Sequence, residues 1–189
     1  MIRFWIRPVS LAIISTCFFL FNACIDYHQF PEEFIHKAPE KSASKNILYY
    51  KIENGTIFKG KNRLKEIFAK DTPFSETIST SNPPAKGLFI RVQIESVPPS
   101  IPAILFGYFS MATLTILPVW SREDGYDVEF QISKDGSPVK SYTYPIRRKV
   151  FVWILMLPVV WINGSTYNEQ EAFTAITNKF FADSKDFLK

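Results

Sequence analysis

Cysteine and histidine are the scarcest reactive residues in this chain of 189, with two of each. Cys17 lies inside an apolar run and Cys24 just beyond it, so neither a disulfide framework nor a multi-cysteine zinc site can be built from them. His28 and His36 flank Glu32 and Glu33, but that spacing matches no established metal motif, and no metal is expected. No other histidine is available as a general base. The segment Gly107-Tyr-Phe-Ser110 therefore lacks a base, and it also lacks the closing glycine of a nucleophile elbow. There is no glycine-rich phosphate loop and no cofactor is expected. A Lys/Arg block is missing too. The formal net charge of +4 falls by two if Arg3 and Arg7 are removed, so nucleic acid is not an expected partner. The adjacent acids Glu123 and Asp124 read as a solvated pair beside a turn at Gly125. No catalytic residue is assigned, and the chain is not read as an enzyme.

What is present is apolar and aromatic. Charged residues make up 21% and aromatic residues 16%, including 18 Phe. That composition suits one folded domain with its own core rather than a disordered polymer. Residues 1–23 have the three parts of an export signal: Arg3 and Arg7, a mostly apolar run from Val9 to Phe21, and a small residue, Ala23, before Cys24. The run is too short for a comfortable membrane span. Phe21-Asn22-Ala23-Cys24 resembles the lipobox of bacterial lipoproteins. It departs from the enteric pattern at Phe21 and Asn22, in the manner of spirochaete lipoboxes. The resemblance implies cleavage before Cys24, acylation of that cysteine (palmitate among the chains) and a tie to membrane lipid. Ile25 after the cysteine implies, by enteric sorting, the outer membrane.

Residues 24–45 mix Pro, Ser and charge without an apolar period and are expected to be a lipidated, flexible tether. A single extracytoplasmic domain is expected over 46–189. Within it, Asn46 to Glu53 reads as a strand ending at the Asn54-Gly55 turn signal. Leu64, Ile67 and Phe68 fall at helical spacing over 62–70. Ile90, Val92 and Ile94 alternate with Arg91, Gln93 and Glu95 as in a strand. Tyr126, Val128, Phe130 and Ile132 alternate likewise, and Asp135-Gly136 turns the chain back toward Tyr142 and Tyr144 as a β-hairpin. Near the C-terminus, Thr166 with Glu169 or Asn168 with Glu171 caps an amphipathic helix carrying Phe173, Ile176, Phe180 and Phe187. The expected fold is α+β: an antiparallel sheet with two helices on one face.

Two apolar stretches complicate that picture. Ile101 to Trp120 has no charge, and as one helix it would reach ~30 Å. Val150 to Ile162 is interrupted only by Pro158 and would reach ~20 Å as a helix. Both carry a Leu-Pro pair followed by tryptophan: Leu117-Pro118 with Trp120, and Leu157-Pro158 with Trp161. Three readings are open. The stretches are buried strands, they are neighbouring loops whose six named residues touch lipid or a protein partner, or they form a transmembrane hairpin. The strand reading keeps the hairpin and the C-terminal helix on one side of a membrane and is preferred. Gly107 to Trp120 and Trp153 to Pro158 are similar to segments of small lipoproteins of spirochaetes and some proteobacteria. That resemblance spans roughly residues 87–182. It implies an envelope location and a small α/β domain, and brings no activity or ligand.

The functional expectation is a membrane-anchored, non-catalytic envelope lipoprotein that binds an envelope component or a membrane surface. Two alternatives stand beside it: an accessory subunit of an envelope transport or assembly complex, and a hydrolase with an unrecognised site.

Overall fold

The computed structural model describes residues 23–37, 39, 47–53, 59–113, 115–153, 155 and 164–188. The expected signal segment lies outside them except for Ala23, and so do Leu157, Pro158 and Trp161. The described residues form a mixed α+β fold of three α-helices and a six-stranded sheet. The strands are β1 (Ala23–His28), β2 (Ile47–Ile52), β3 (Glu76–Ser79), β4 (Leu88–Val97), β5 (Val119–Lys134) and β6 (Ser137–Val152), in the order β1-β6-β5-β4-β2-β3. The helices are α1 (Lys59–Lys70), α2 (Ile101–Ala112) and α3 (Glu169–Asp183).

The chain divides into two compact units. One comprises the residues up to Asp26, Pro99–Glu123 and Arg148–Thr166. The other comprises Tyr27–Pro98, Asp124–Arg147 and the residues from Tyr167 onward.

The larger unit contains the main core. Alternation along β4 and β5 sends Ile90, Val92, Tyr126, Val128, Phe130 and Ile132 to one face, all buried, and the register pairs Ile90 with Ile132 and Val92 with Phe130. On β2, Leu48 and Tyr50 continue that face. Helix α1 meets it through Phe68, whose ring stacks on Tyr50 at 4.9 Å. Helix α3 meets it through Phe180, stacked on Phe130 at 4.4 Å, and Phe173, tilted against Tyr126 at 5.8 Å. The start of α3 is held by a capping box: Asn168 Oδ1 accepts from the Glu171 amide, and the Glu171 carboxylate accepts from the Asn168 amide. The Asp135-Gly136 turn has φ of 52° and 79°, as a tight hairpin turn requires. It is tied to the start of β4 by reciprocal bonds with the Gly87 backbone.

Several expectations need correction. The sheet is not purely antiparallel. β2 pairs in parallel with both β3 and β4, while β4 and β5 are antiparallel. The cause is the connection: α1 carries the chain from β2 back to the start of β3, and a helical crossover leaves its two strands parallel. There are three helices rather than two, because Ile101–Ala112 is helix and not strand.

The tether expected over 24–45 has defined structure over 24–37, while residues 38 and 40–45 lie outside the described residues. β1 joins the sheet, Tyr27 and Phe30 are buried, and Phe30 packs edge-on against Tyr167. A short 3-10 turn, Glu32–Phe34, follows, and Asn178 Nδ2 donates to the Phe34 carbonyl at 2.8 Å. Gly125 is not in a turn but within β5, and Asp124 beside it is buried rather than solvated. Finally, α3 ends at Asp183, so Phe187 leaves the apolar stripe and is exposed, while Leu188 is buried instead.

Candidate functional site

In the smaller unit, helix α2 inverts the usual arrangement of apolar residues. Helix α2 starts after Ser100, in extended conformation, with Pro102 in the first turn, where its missing amide donor costs nothing. Every residue from Ser96 to Ser121 is uncharged. The large side chains nevertheless point outward: Ile101, Tyr108 and Met111 are each at least 70% exposed, and Leu105, Phe106 and Phe109 are more than half exposed. Ser110 is the buried residue of the helix, with Ala103 and Gly107 partly covered.

The helix end is closed by hydroxyls rather than by apolar packing. Thr113 Oγ1 donates within reach of the Phe109 and Ser110 carbonyls at 3.0 and 3.1 Å. Ser110 Oγ donates to the Leu117 carbonyl at 2.6 Å, and the Thr115 amide donates to the Ser110 carbonyl at 2.7 Å. These bonds fold the chain back along the helix toward β5. Trp153 Nε1 donates to the Ile116 carbonyl at 2.9 Å, pinning the returning segment to the end of β6. The ring of Phe106 lies nearly parallel to that of Trp120 with centroids 6.2 Å apart. Beneath them is a hollow of about 230 Å³ bordered by Pro102, Ala103, Arg122 and Glu123.

Of the residues expected at a lipid or partner contact, Leu117 and Trp120 are exposed and Pro118 is half-buried, all three in this unit. Leu157, Pro158 and Trp161 lie outside the described residues. Cys24 is half-buried on β1 and makes no disulfide. The Leu-Pro-Trp pattern points to the returning segment and not to α2, whose large side chains make up most of the exposed apolar surface among the described residues of this unit. The sequence signal for it is Ser100 ahead of Ile101-Pro102, a serine followed by an early proline as at a helix start, before a run with no polar alternation.

The larger unit offers less. One hollow there, of about 340 Å³, is bordered by His36, Arg63, Lys70, Asp71, Thr174 and Asn178. Arg63 is already committed there: Nε donates to Thr174 Oγ1 at 3.0 Å, and the guanidinium faces Glu66 at 3.3 Å and Asp71 at 3.8 Å. Burial pushes the Tyr144 phenol well above its ordinary ionisation range, reinforced by its hydrogen bond to Asp183 Oδ2 at 2.8 Å. That bond ties β6 to the end of α3. Among the described residues no three His, Cys, Asp or Glu side chains group as a metal site. No helix among them is long and apolar enough to cross a membrane.

No protein-family model matches the chain, and no curated protein matches it.

Proposed function

We propose that the protein is a lipid-anchored, non-catalytic component of the bacterial cell envelope, tied through acyl chains on Cys24 to the outer membrane, as Ile25 after the cysteine implies. The observation that carries this reading is the outward-facing apolar surface of α2, Leu117 and Trp120 in the same unit that contains Cys24. A protein rarely leaves so many large apolar side chains of one helix in water, and such surfaces mark contacts with a membrane or a partner. The lipobox-like Phe21-Asn22-Ala23-Cys24 supplies the means of attachment. One acyl chain binds a membrane only reversibly, whereas two or three hold durably, at ~0.8 kcal/mol per buried methylene. The hydrolase reading loses its one serine candidate, since Ser110 is buried and its hydroxyl is spent on the Leu117 carbonyl.

The test is metabolic labelling with radioactive palmitate in a bacterium that processes lipoproteins. The wild-type protein should be labelled and remain with the membrane fraction. Cys24→Ser should lose the label entirely and either leave the membrane fraction or accumulate as the unprocessed form. A Cys24→Ser variant labelled like the wild type would refute the anchor.

A further inference from the structure

We infer that α2 is a second membrane contact, a short helix immersed in the acyl region of the same bilayer that holds Cys24. The inference deepens the lipid-anchor reading and rests on it. Three observations select a bilayer over a protein partner.

The first is angular. At about 100° per residue, the exposed side chains run from Met111 and Ile104, through Ile101 and Leu105, to Phe109 and Phe106. That is a sweep of about 220° of the helix circumference. A groove on a partner protein covers one face of a helix, an apolar stripe little more than 100° wide. An arc this broad is wider than a single partner groove covers, and it is what a helix surrounded by lipid presents. The remaining arc holds Ala103, Gly107 and Ser110, small residues turned inward while the large ones face out, as on helices whose solvent is lipid.

The second is the distribution of charge. Ser96–Ser121 and Val150–Asn168 are uncharged, and the charges that border them in this unit are Arg122, Glu123, Arg148 and Lys149. Basic side chains and tryptophan at the margin of an apolar segment are the composition of a membrane–water interface. Trp120, half exposed and stacked on Phe106, stands at that margin two residues before Arg122.

The third is the anchor's position. Thr166 Oγ1 donates to the Ile25 carbonyl at 3.1 Å, so the residue after Cys24 is hydrogen-bonded within the unit that contains α2. With no free tether between Cys24 and this unit, acylation of the cysteine brings the unit to the bilayer surface. At twelve residues the helix is about 18 Å long. It is too short to span a hydrocarbon core of ~30 Å and suits a monotopic position in one leaflet.

The test uses the processed protein, purified from a bacterium that matures lipoproteins so that Trp5 is gone, reconstituted into phosphatidylcholine vesicles whose acyl chains carry bromine, a contact quencher of tryptophan emission. Emission should fall relative to vesicles without bromine, and Trp120→Phe should remove much of that fall. Leu105→Asp combined with Phe109→Asp should abolish the quenching. Both residues are exposed, so the variant should keep the wild-type circular dichroism spectrum and its palmitate label. Equal quenching in wild type and the double variant overturns the inference. So does an unquenched wild type that runs at twice its mass in mild detergent and returns to monomer in the double variant, which would assign the helix to a second copy. Quenching without a palmitate label would sustain the helix contact and reject the anchor at Cys24. Loss of both would reject the two together.

Discussion

Individual residues in the larger unit show how tightly the hairpin is built. Gly125 has φ of 156°, and a methyl group there would lie 2.1 Å from the Ile146 carbonyl oxygen and 2.9 Å from the Arg147 Cα. Two backbones touch at this point, and only glycine leaves them room. Close by, Arg147 donates to Asp127 Oδ1 at 2.7 Å and to the Tyr126 carbonyl at 3.0 Å, closing the two strands across the contact. Tyr144 provides a titration test. Its folded ionisation is raised above the ordinary value of 10.0, chiefly by burial and then by Asp183. The folded state therefore holds the phenolic proton more strongly than the unfolded chain does. Its contribution is complete below pH 10 and is lost as pH climbs above it. Urea midpoints measured from neutral to strongly alkaline pH should fall above pH 10 in the wild type. In Tyr144→Phe the neutral-pH midpoint should be lower because the Asp183 bond is gone, and the alkaline decline should be shallower. An identical alkaline decline in both proteins would mean that other groups control it.

At the scale of elements, α3 is the cover of the sheet, and Phe180 is its central contact. The side chain is fully buried, stacked on Phe130, and edge-on to Tyr142 at 5.8 Å. Phe180→Ala should cost about 3–5 kcal/mol, the usual range for truncating a buried phenylalanine where neighbours cannot collapse into the space. Phe109→Ala on α2 should change stability in water by no more than about 0.5 kcal/mol, as for surface substitutions, because that ring packs against solvent rather than core. Equilibrium urea unfolding of the two variants side by side measures the contrast. Comparable losses would show that α2 is covered in solution. The two helices thus carry similar apolar residues for opposite purposes, one to close a core and one to face outward.

For the molecule as a whole, the segment before β2 decides how much chain the fold needs. Tyr27 and Phe30 are each only 7% exposed. β1 also covers one edge of β6 in the sheet. A chain begun at Asn46 would lose both aromatic side chains, together worth about 3–6 kcal/mol at ~1.5–3 kcal/mol per buried large apolar side chain. It would also uncover a strand edge open to aggregation. Against a typical domain stability of about 5–15 kcal/mol, that loss is severe. The truncated chain should unfold at much lower urea than one begun at Cys24, or aggregate on expression. Matching midpoints would restore the idea of a dispensable tether.

Where polar and apolar residues alternate with a period, the amino-acid order alone determined local structure. This holds for β4, the β5–β6 hairpin with its Asp135-Gly136 turn, α1 through Leu64, Ile67 and Phe68, and the Asn168 cap of α3. Each pattern matches one backbone repeat and no other, and each turn or cap residue satisfies a local requirement of φ or hydrogen bonding. Three features depended on contacts distant in the chain. The parallel pairing of β2 with β4 follows from where the α1 crossover returns, which strand composition does not encode. Residues 23–37 lack a period, and they are ordered because Tyr27 and Phe30 find cover on elements far along the chain, as Phe30 does on Tyr167. The stretch after Ser100 is apolar at nearly every position, so helix and strand patterns fit it equally, and neither shows which side faces in. The tertiary structure decided both, by spending Ser110 and Thr113 on the helix end and leaving Leu105, Phe109 and Met111 outside. An unbroken apolar run specifies that water is avoided; only the surrounding fold specifies whether a protein core or an outer surface does the covering.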